Sequence, residues 1–461
     1  MNTASLQTHF LSISGGRMTE QTHTSKVAII GAGPAGLFAA RELADKGVPV
    51  AIFNRDVKPG GLAEYGIYPE KLRIKEGLRC QFRDIVRAPG VSYFGNVTVG
   101  VDSPLNFNSL RQLGFSAILV AAGAQGTKWL GLPGEDCPGV YHAKELVYHY
   151  NHLPPYACQE FPIGKKVMVV GVGNVMTDIV RWLLTLPQVE EITTIARRGL
   201  AEIKFDDREL LPVAAALDVD DFQREVERIS PAMKWIGQVP SEAAARVLTV
   251  VQSVTDPKPR ARWRMRFLYS PSKILSEFNH VTGIKLEENR LESTPTGTVA
   301  RGTGHYTEEP LDTLIFAIGD QVDRSLGLPV EGSRFVLAET PHYPIGNVSY
   351  EMADTADHRW QGVFVCGWSR NASTGMVGIA RRDGMNAARA LSEYLLDRPE
   401  EAGVSDVAIT AFLHGAGLNP VRASDLGRLE AIENDRAAAA ALSEYKFDTN
   451  EEMLRVMGLL P

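Results

Sequence analysis

The chain has 461 residues, room for about two or three domains with full cores. Hydrophobic residues make up 44% and charged residues 22%, the balance of an ordinary soluble globular enzyme. A formal net charge of −7 argues against a nucleic-acid binder, and no apolar run approaches membrane-spanning length.

Residues 1–25 are polar and carry no apolar core of a secretory signal, so a flexible tail, or a start at Met18, is expected there. The first patterned stretch is the β-branched strand Lys26-Val-Ala-Ile-Ile30, followed by Gly31-Ala-Gly33-Pro-Ala35-Gly36. This is a strand, a tight glycine turn and the opening of a helix. The second glycine lets main chain approach a pyrophosphate at the positive end of that helix. The next strand, Val48–Phe53, ends in Asn54, where an acid that binds a ribose hydroxyl is expected about 20 residues on. An amide can make that hydrogen bond without charge assistance. Lys71, Lys75, Arg79, Arg83 and Arg87 then recur every four residues, which places them on one helix face.

A buried strand, Ala117–Ala121, ends in small residues that let backbone approach a ligand. The second glycine turn follows Lys166-Val-Met-Val-Val170 and reads Gly171-Val-Gly173-Asn174-Val175. Its next strand, Glu191–Ile195, runs into Ala196-Arg197-Arg198-Gly199. The acid of an NAD site is replaced by two guanidinium groups, whose planar donors match a phosphate, so NADP is favoured over NAD. Arg260, Arg262, Arg264 and Arg266 alternate along a strand and share a face. Both basic stripes are candidate docking faces for an acidic partner, against the alternative of solvated or ion-paired surface. Two further buried strands, Thr313–Ala317 and Val363–Cys366, end in Gly319 and Gly367. Cys80, Cys137, Cys158 and Cys366 stand alone, which excludes a redox dithiol, and no cluster suits a metal or an iron–sulfur centre.

Two dinucleotide turns on separate strand–turn–helix units predict two bound dinucleotides with electrons passing between them. The predicted fold is α/β, two Rossmann-like dinucleotide-binding domains with the NADP domain inserted into the FAD domain. The boundaries read as a tail over 1–25, an FAD domain over 26–126, an NADP domain over 127–339, and the rest of the FAD domain with a C-terminal extension over 340–461.

From Lys26 onward the chain resembles adrenodoxin-reductase-type ferredoxin–NADP reductases, and more loosely the small subunit of glutamate synthase. The resemblance is carried by Gly61-Leu-Ala-Glu-Tyr-Gly66, Phe94–Gly100, Leu132-Pro-Gly-Glu135, Gly171-Val-Gly-Asn-Val175, Arg197-Arg198-Gly199, Phe205–Glu209, and Gly367-Trp368 with Thr374-Gly375-Met376-Val377. It implies non-covalent FAD, NADP(H) and transient electron exchange with a ferredoxin in the cytoplasm. It further implies that FAD is held by Ala35 and the glycines around it, by Gly61, Leu62, Val99, Gly367 and Trp368, and by Gly375, Met376 and Val377. NADP would be held by Gly173 to Val175, Arg197, Arg198, Glu209 and Gly375. Gly375 would admit both rings to one place, and Trp368 would wall the flavin.

The family's flavin-side histidine is replaced by Lys71, while its partner carboxylate, Asp178, is retained. An exposed lysine stays charged where a histidine would exchange protons. The family's basic docking stretch aligns with Pro240–Arg246, which has lost most of its charge. The looser resemblance gives a second reading, a flavin electron-input subunit of a larger oxidoreductase, against which the missing cysteine clusters count.

Overall fold

The computed structural model describes residues 25–372, 375–399 and 402–461. The expected tail, apart from Ser25, and Thr374 lie outside the described residues.

The chain begins with β1 (Val27–Ile30), whose four residues are all buried, and turns into α1 (Pro34–Ala44). Pro34 opens α1, where its fixed backbone angle suits a first helical turn and its missing N–H is no loss. After β2 (Val50–Phe53) come the single turn α2 (Leu62–Tyr65), the helix α3 (Leu72–Val86) and β3 (Val91–Phe94). A reciprocal cap between Asn106 and Ser109 starts α4 (Phe107–Gln112), which leads into β4 (Ala117–Val120) and the short β5 (Gly126–Thr127).

A second unit starts with β6 (Val140–His142) and α5 (Ala143–Tyr150). It continues through β7 (Lys166–Val170), α6 (Asn174–Leu183), β8 (Glu191–Ala196), α7 (Asp207–Leu210), α8 (Val219–Trp235), α9 (Pro240–Gln252) and β9 (Arg262–Phe267). Three long antiparallel strands, β10 (Tyr269–Glu277), β11 (His280–Thr294) and β12 (Gly297–Pro310), then return the chain to β13 (Thr313–Phe316). β14 (Asp320–Gln321) pairs antiparallel with β5, so the outgoing and returning crossings between the units are laced together.

The ribbon β15 (Val330–Glu331) and β16 (Arg334–Phe335) precedes β17 (Glu351–Ala353) and β18 (Arg359–Val365). Five helices follow: α10 (Trp368–Asn371), α11 (Val377–Leu396), α12 (Asp406–Gly415), α13 (Ala423–Ala439) and α14 (Asn450–Met457).

Strand order in the first sheet is β17-β18-β4-β1-β2-β3, parallel except for the edge strand β17. The second sheet, β6-β13-β7-β8-β9, is wholly parallel. The first sheet is therefore built from both ends of the chain and the second from the middle, the inserted two-Rossmann arrangement that the sequence predicts. Side chains alternate between faces: Val27 and Ile29 enter one apolar cluster and Ala28 and Ile30 another. Val167 and Val169 separate in the same way from Met168 and Val170. Both faces of the central strands are covered, so residues 27–30 and 167–170 are apolar throughout.

Candidate functional site

The two glycine turns are built alike. Gly31 has φ +104°, and a side chain there would meet the Ala121 carbonyl at 2.5 Å. Gly171 has φ +129° and would meet the Ala317 carbonyl at 2.3 Å. These glycines serve the packing of a turn against the neighbouring strand. Gly33 and Gly173 differ, since a Cβ at either would have nothing within 4 Å. Each caps the N-terminus of its helix, α1 or α6, with no side-chain hydrogen bond to the free amides. An open space beside unpaired helix N–H groups fits a pyrophosphate in both places.

A second turn closes on the first cradle. Gly60 donates its N–H to the Ala32 carbonyl at 2.7 Å, and a side chain on Gly61 would come 3.2 Å from the Gly33 Cα. Leu62 thus starts α2 beside the cradle. Gly367 reaches the same region from the other end of the chain. Its Cβ position lies 2.7 Å from that of Ala35, and its N–H is held at 2.6 Å by Asp383, which pairs with Arg370. Ala35, Gly36, Gly61, Leu62, Gly367 and Trp368 are therefore gathered at one end of the first sheet. Gly375, Met376 and Val377 lead into α11, where Met376 is exposed and Gly375, at φ +87°, lies hard against Ile379.

Two expected ligands are otherwise engaged. Asn54 is buried; its Oδ1 accepts from the Ala32 N–H at 2.9 Å. Its Nδ2 donates to the carbonyls of Asp56 at 2.8 Å and Lys58 at 3.0 Å. Both amide protons and one Oδ1 lone pair are taken by main chain, so Asn54 ties β2 to the glycine turn. Val99 is buried in the apolar cluster with Val97 and Leu326, so only its main chain can serve a cofactor.

In the second cradle the Asn174 side chain is also engaged. Its Oδ1 accepts from the Asp206 N–H at 2.8 Å and its Nδ2 approaches the Asp206 carboxylate at 3.3 Å. What Asn174 and Val175 offer a dinucleotide is backbone N–H at the head of α6. Arg197 is exposed and forms no ion pair, and Arg198 makes one long hydrogen bond, 3.4 Å, to the Thr298 carbonyl. Both guanidinium groups stand ready for a phosphate just past β8.

The two units meet through charged side chains. Lys71, which caps α3, pairs with Glu209 of α7 at 2.5 Å, and Glu70 pairs with Arg181 of α6 at 2.5 Å. Arg181 lies 4.2 Å above the Tyr68 ring, which packs on Tyr150 with centroids 5.5 Å apart. The expectation of an exposed Lys71 partnered by Asp178 is thus corrected. Lys71 is only a quarter exposed and takes Glu209, because the short α7 brings that carboxylate across the gap first. Asp178 stays close enough to feel the group. Burial pushes its carboxyl up to about 6, against the pull of Lys71, with Glu209 adding to the rise and Arg181 opposing it.

Neither basic stripe is a free cationic face. On α3, Lys75 is buried against Glu444, Arg79 is clasped by Glu64, Glu76 and Glu444, and Arg83 pairs with Glu430 at 3.0 Å. The face that reads as solvated is covered by the C-terminal segment, which supplies the missing carboxylates. At its centre Glu64 is 2% exposed and also meets Lys446 at 3.0 Å and Lys58 at 3.5 Å. Burial raises the Glu64 carboxyl, but Lys446, Lys58 and Arg79 outweigh it and hold the group well below the usual range. On β9, Arg262 and Arg264 pair with Glu191 and Arg266 with Asp221, while Arg260 stands before the strand near Glu190. The stretch 240–246 opens α9, and its Arg246 is held by Asp207 at 2.7 Å.

The four cysteines are free, Cys137 and Cys366 buried and Cys80 and Cys158 exposed. Among the described residues no group of side chains suits a metal ion, and no helix is long and apolar enough to cross a membrane.

Comparison with known proteins agrees with this geometry. Residues 25–208 match the family model described as pyridine nucleotide-disulphide oxidoreductase. The mitochondrial NADPH:adrenodoxin oxidoreductase of Mus musculus is 27% identical over 96% of this chain and 93% of its own length. The NADPH-ferredoxin reductase FprA of Mycobacterium leprae is 29% identical, over 81% and 84% respectively. The structure of Mycobacterium tuberculosis FprA in complex with NADPH superposes with a TM-score of 0.78 at 24% identity, covering 94% of this chain and 99% of that one. That likeness is one of fold.

Proposed function

We infer that this chain, of the adrenodoxin-reductase type, is an FAD-dependent oxidoreductase that moves electrons between NADPH and a ferredoxin-type iron–sulfur protein. The observation that carries the reading is the pair of open glycine cradles, Gly33 and Gly173, each at the head of its own helix. FAD, when bound, supplies the exchange between two-electron and one-electron chemistry that no side chain provides.

The protein's own part is binding, orientation and charge. The first cradle, with Gly31, Ala35, Gly36, Gly61, Leu62, Gly367, Trp368 and the Val99 main chain, would hold FAD. The second, with Gly171, the N–H groups of Asn174 and Val175, Arg197, Arg198 and Glu209, would hold NADP. Gly375, Met376 and Val377 would serve both, Gly375 through its main chain. The ion pairs Lys71–Glu209 and Glu70–Arg181 brace the two units so that the bound partners are oriented before reaction. Asp178, whose carboxyl burial pushes up to about 6, would exchange the proton that a lysine in the place of the family's histidine does not. The corresponding division of the chain is 26–126 with 340–461 for FAD and 127–339 for NADP. The ferredoxin contact is transient, the protein works in the cytoplasm, and nucleic acid plays no part.

The test is direct. The purified protein should be yellow, release FAD on heating, bleach on mixing with NADPH faster than with NADH, and then reduce a ferredoxin. A colourless protein that cannot be reconstituted with FAD would overturn the reading.

A further inference from the structure

We propose that Lys204 is a third cation that reads the 2′-phosphate of NADP, beside Arg197 and Arg198. The proposal rests on the assignment of the second cradle to NADP.

Residues 200–206 form a strap fastened over the second glycine turn. The Lys204 N–H donates to the Val172 carbonyl at 3.0 Å, inside the turn itself. Two residues on, Asp206 exchanges hydrogen bonds with Asn174 at the head of α6. Arg246 fixes the far side through the Phe205 carbonyl at 2.6 Å and the Asp207 carboxylate. Phe205 is buried in the apolar core and Ile203 packs against that core, whereas Lys204 between them is exposed. Its side chain therefore leaves the strap on the side away from the core.

The turn to which the strap is tied also adjoins the strand that ends at the arginine pair. Gly171 donates its N–H to the Ile195 carbonyl at 2.9 Å, so the turn after β7 and the end of β8 are adjacent.

Asp207 pairs with Arg246 and Glu209 with Lys71, whereas Glu202 and Asp206 accept from the neutral amides of Gln238 and Asn174. Among the described residues Arg197, Lys204 and Arg208 have no ion pair, in a chain whose other basic stripes are ion-paired. Lys204 is thus an exposed cation fastened beside a turn with open space for a dinucleotide. A lysine serves such a site as a point charge that supplements the planar fork of arginine.

The experiment is calorimetric titration of the FAD-loaded protein with NADP+ and with NAD+, for the parent and for Lys204→Ala, Lys204→Arg and the double variant Arg197→Ala/Arg198→Ala. One lost charge-assisted bond corresponds to roughly tenfold weaker binding or more. Lys204→Ala should weaken NADP+ by that factor, change NAD+ less than about twofold, and leave the melting temperature in place. Lys204→Arg should keep most of the affinity. Equal weakening of both coenzymes would place Lys204 on the pyrophosphate and overturn the proposal. Unchanged NADP+ affinity in Lys204→Ala, with loss in the arginine variant, would overturn it while sparing the NADP assignment. Unchanged affinity in every variant would overturn both.

Discussion

Lys71 and Glu209, 138 positions apart in the chain, close an ion pair at 2.5 Å between the head of α3 and the short α7. One belongs to the unit with the first glycine turn and the other to the unit with the second. The pair therefore links the two cradles mechanically, and it displaces Asp178 from the role of lysine partner. Both side chains are about a quarter exposed, so its contribution is that of a partly screened pair. A double-mutant cycle of Lys71→Ala and Glu209→Gln should return a coupling of about 0.5–1 kcal/mol in thermal or denaturant unfolding. Additive effects would show that the pair does not brace the units.

Asp178 sets a pH dependence whose sign is fixed. Its folded value, about 6, lies above the ordinary 3.8, so the folded protein binds this proton more tightly than the unfolded chain. Stability is lost as pH rises from about 4 to 6 and stays lost above that. Asp178→Asn should accordingly be more stable than the parent at pH 7–8, by on the order of 2–3 kcal/mol at most, with no difference below about pH 4. In rapid mixing with NADPH, an inflection near pH 6 in the rate of flavin bleaching should disappear in the same variant. Identical pH profiles would remove Asp178 from proton handling.

Replacing Asn54 should harm the apoprotein. Asn54→Ala leaves the buried Ala32 N–H without its acceptor, at a cost of about 1–3 kcal/mol. Chemical denaturation of FAD-free protein checks this. A ribose ligand would behave differently, with apoprotein stability intact and only FAD affinity reduced.

Arg79 separates a docking face from an internal network. Arg79→Glu would set a carboxylate against Glu64 and Glu444 in a buried setting, where loss of one partner costs about 3–5 kcal/mol. The expected result is a large fall in melting temperature with no selective rise in the KM for ferredoxin. Because Glu64 is held below the usual carboxylate range, the network's contribution is complete above about pH 4.5 and fades only as pH falls through that lower value. A stable Arg79→Glu protein with impaired ferredoxin turnover would restore the helix as the dock.

Coenzyme choice gives the last expectation. Arg197→Ala/Arg198→Ala should slow reduction by NADPH at low coenzyme concentration far more than reduction by NADH, by about tenfold or more for each charge-assisted bond lost. Equal losses would mean that the pair does not read the 2′-phosphate.

The sequence by itself determined the two strand–turn–helix units, the glycines that a tight turn requires and the arginine pair past β8. These features are local: strand period, φ above zero at Gly31 and Gly171, and charge type at one strand end are readable within about 30 residues. The α/β class with one dinucleotide unit inserted in the other followed from the same units. What only the tertiary structure decided was the partner of each polar group. Spacing placed Lys75, Arg79 and Arg83 on one face of α3, but Glu430 and Glu444, more than 340 residues downstream, turn that face into an interface. Asn54 stands at the right place for a ribose, yet the main chain of Ala32, Asp56 and Lys58 folds around it and takes both amide protons and one lone pair of its oxygen. A residue's type and period fix which bonds it is able to form; which atoms reach it first is settled by how distant segments pack.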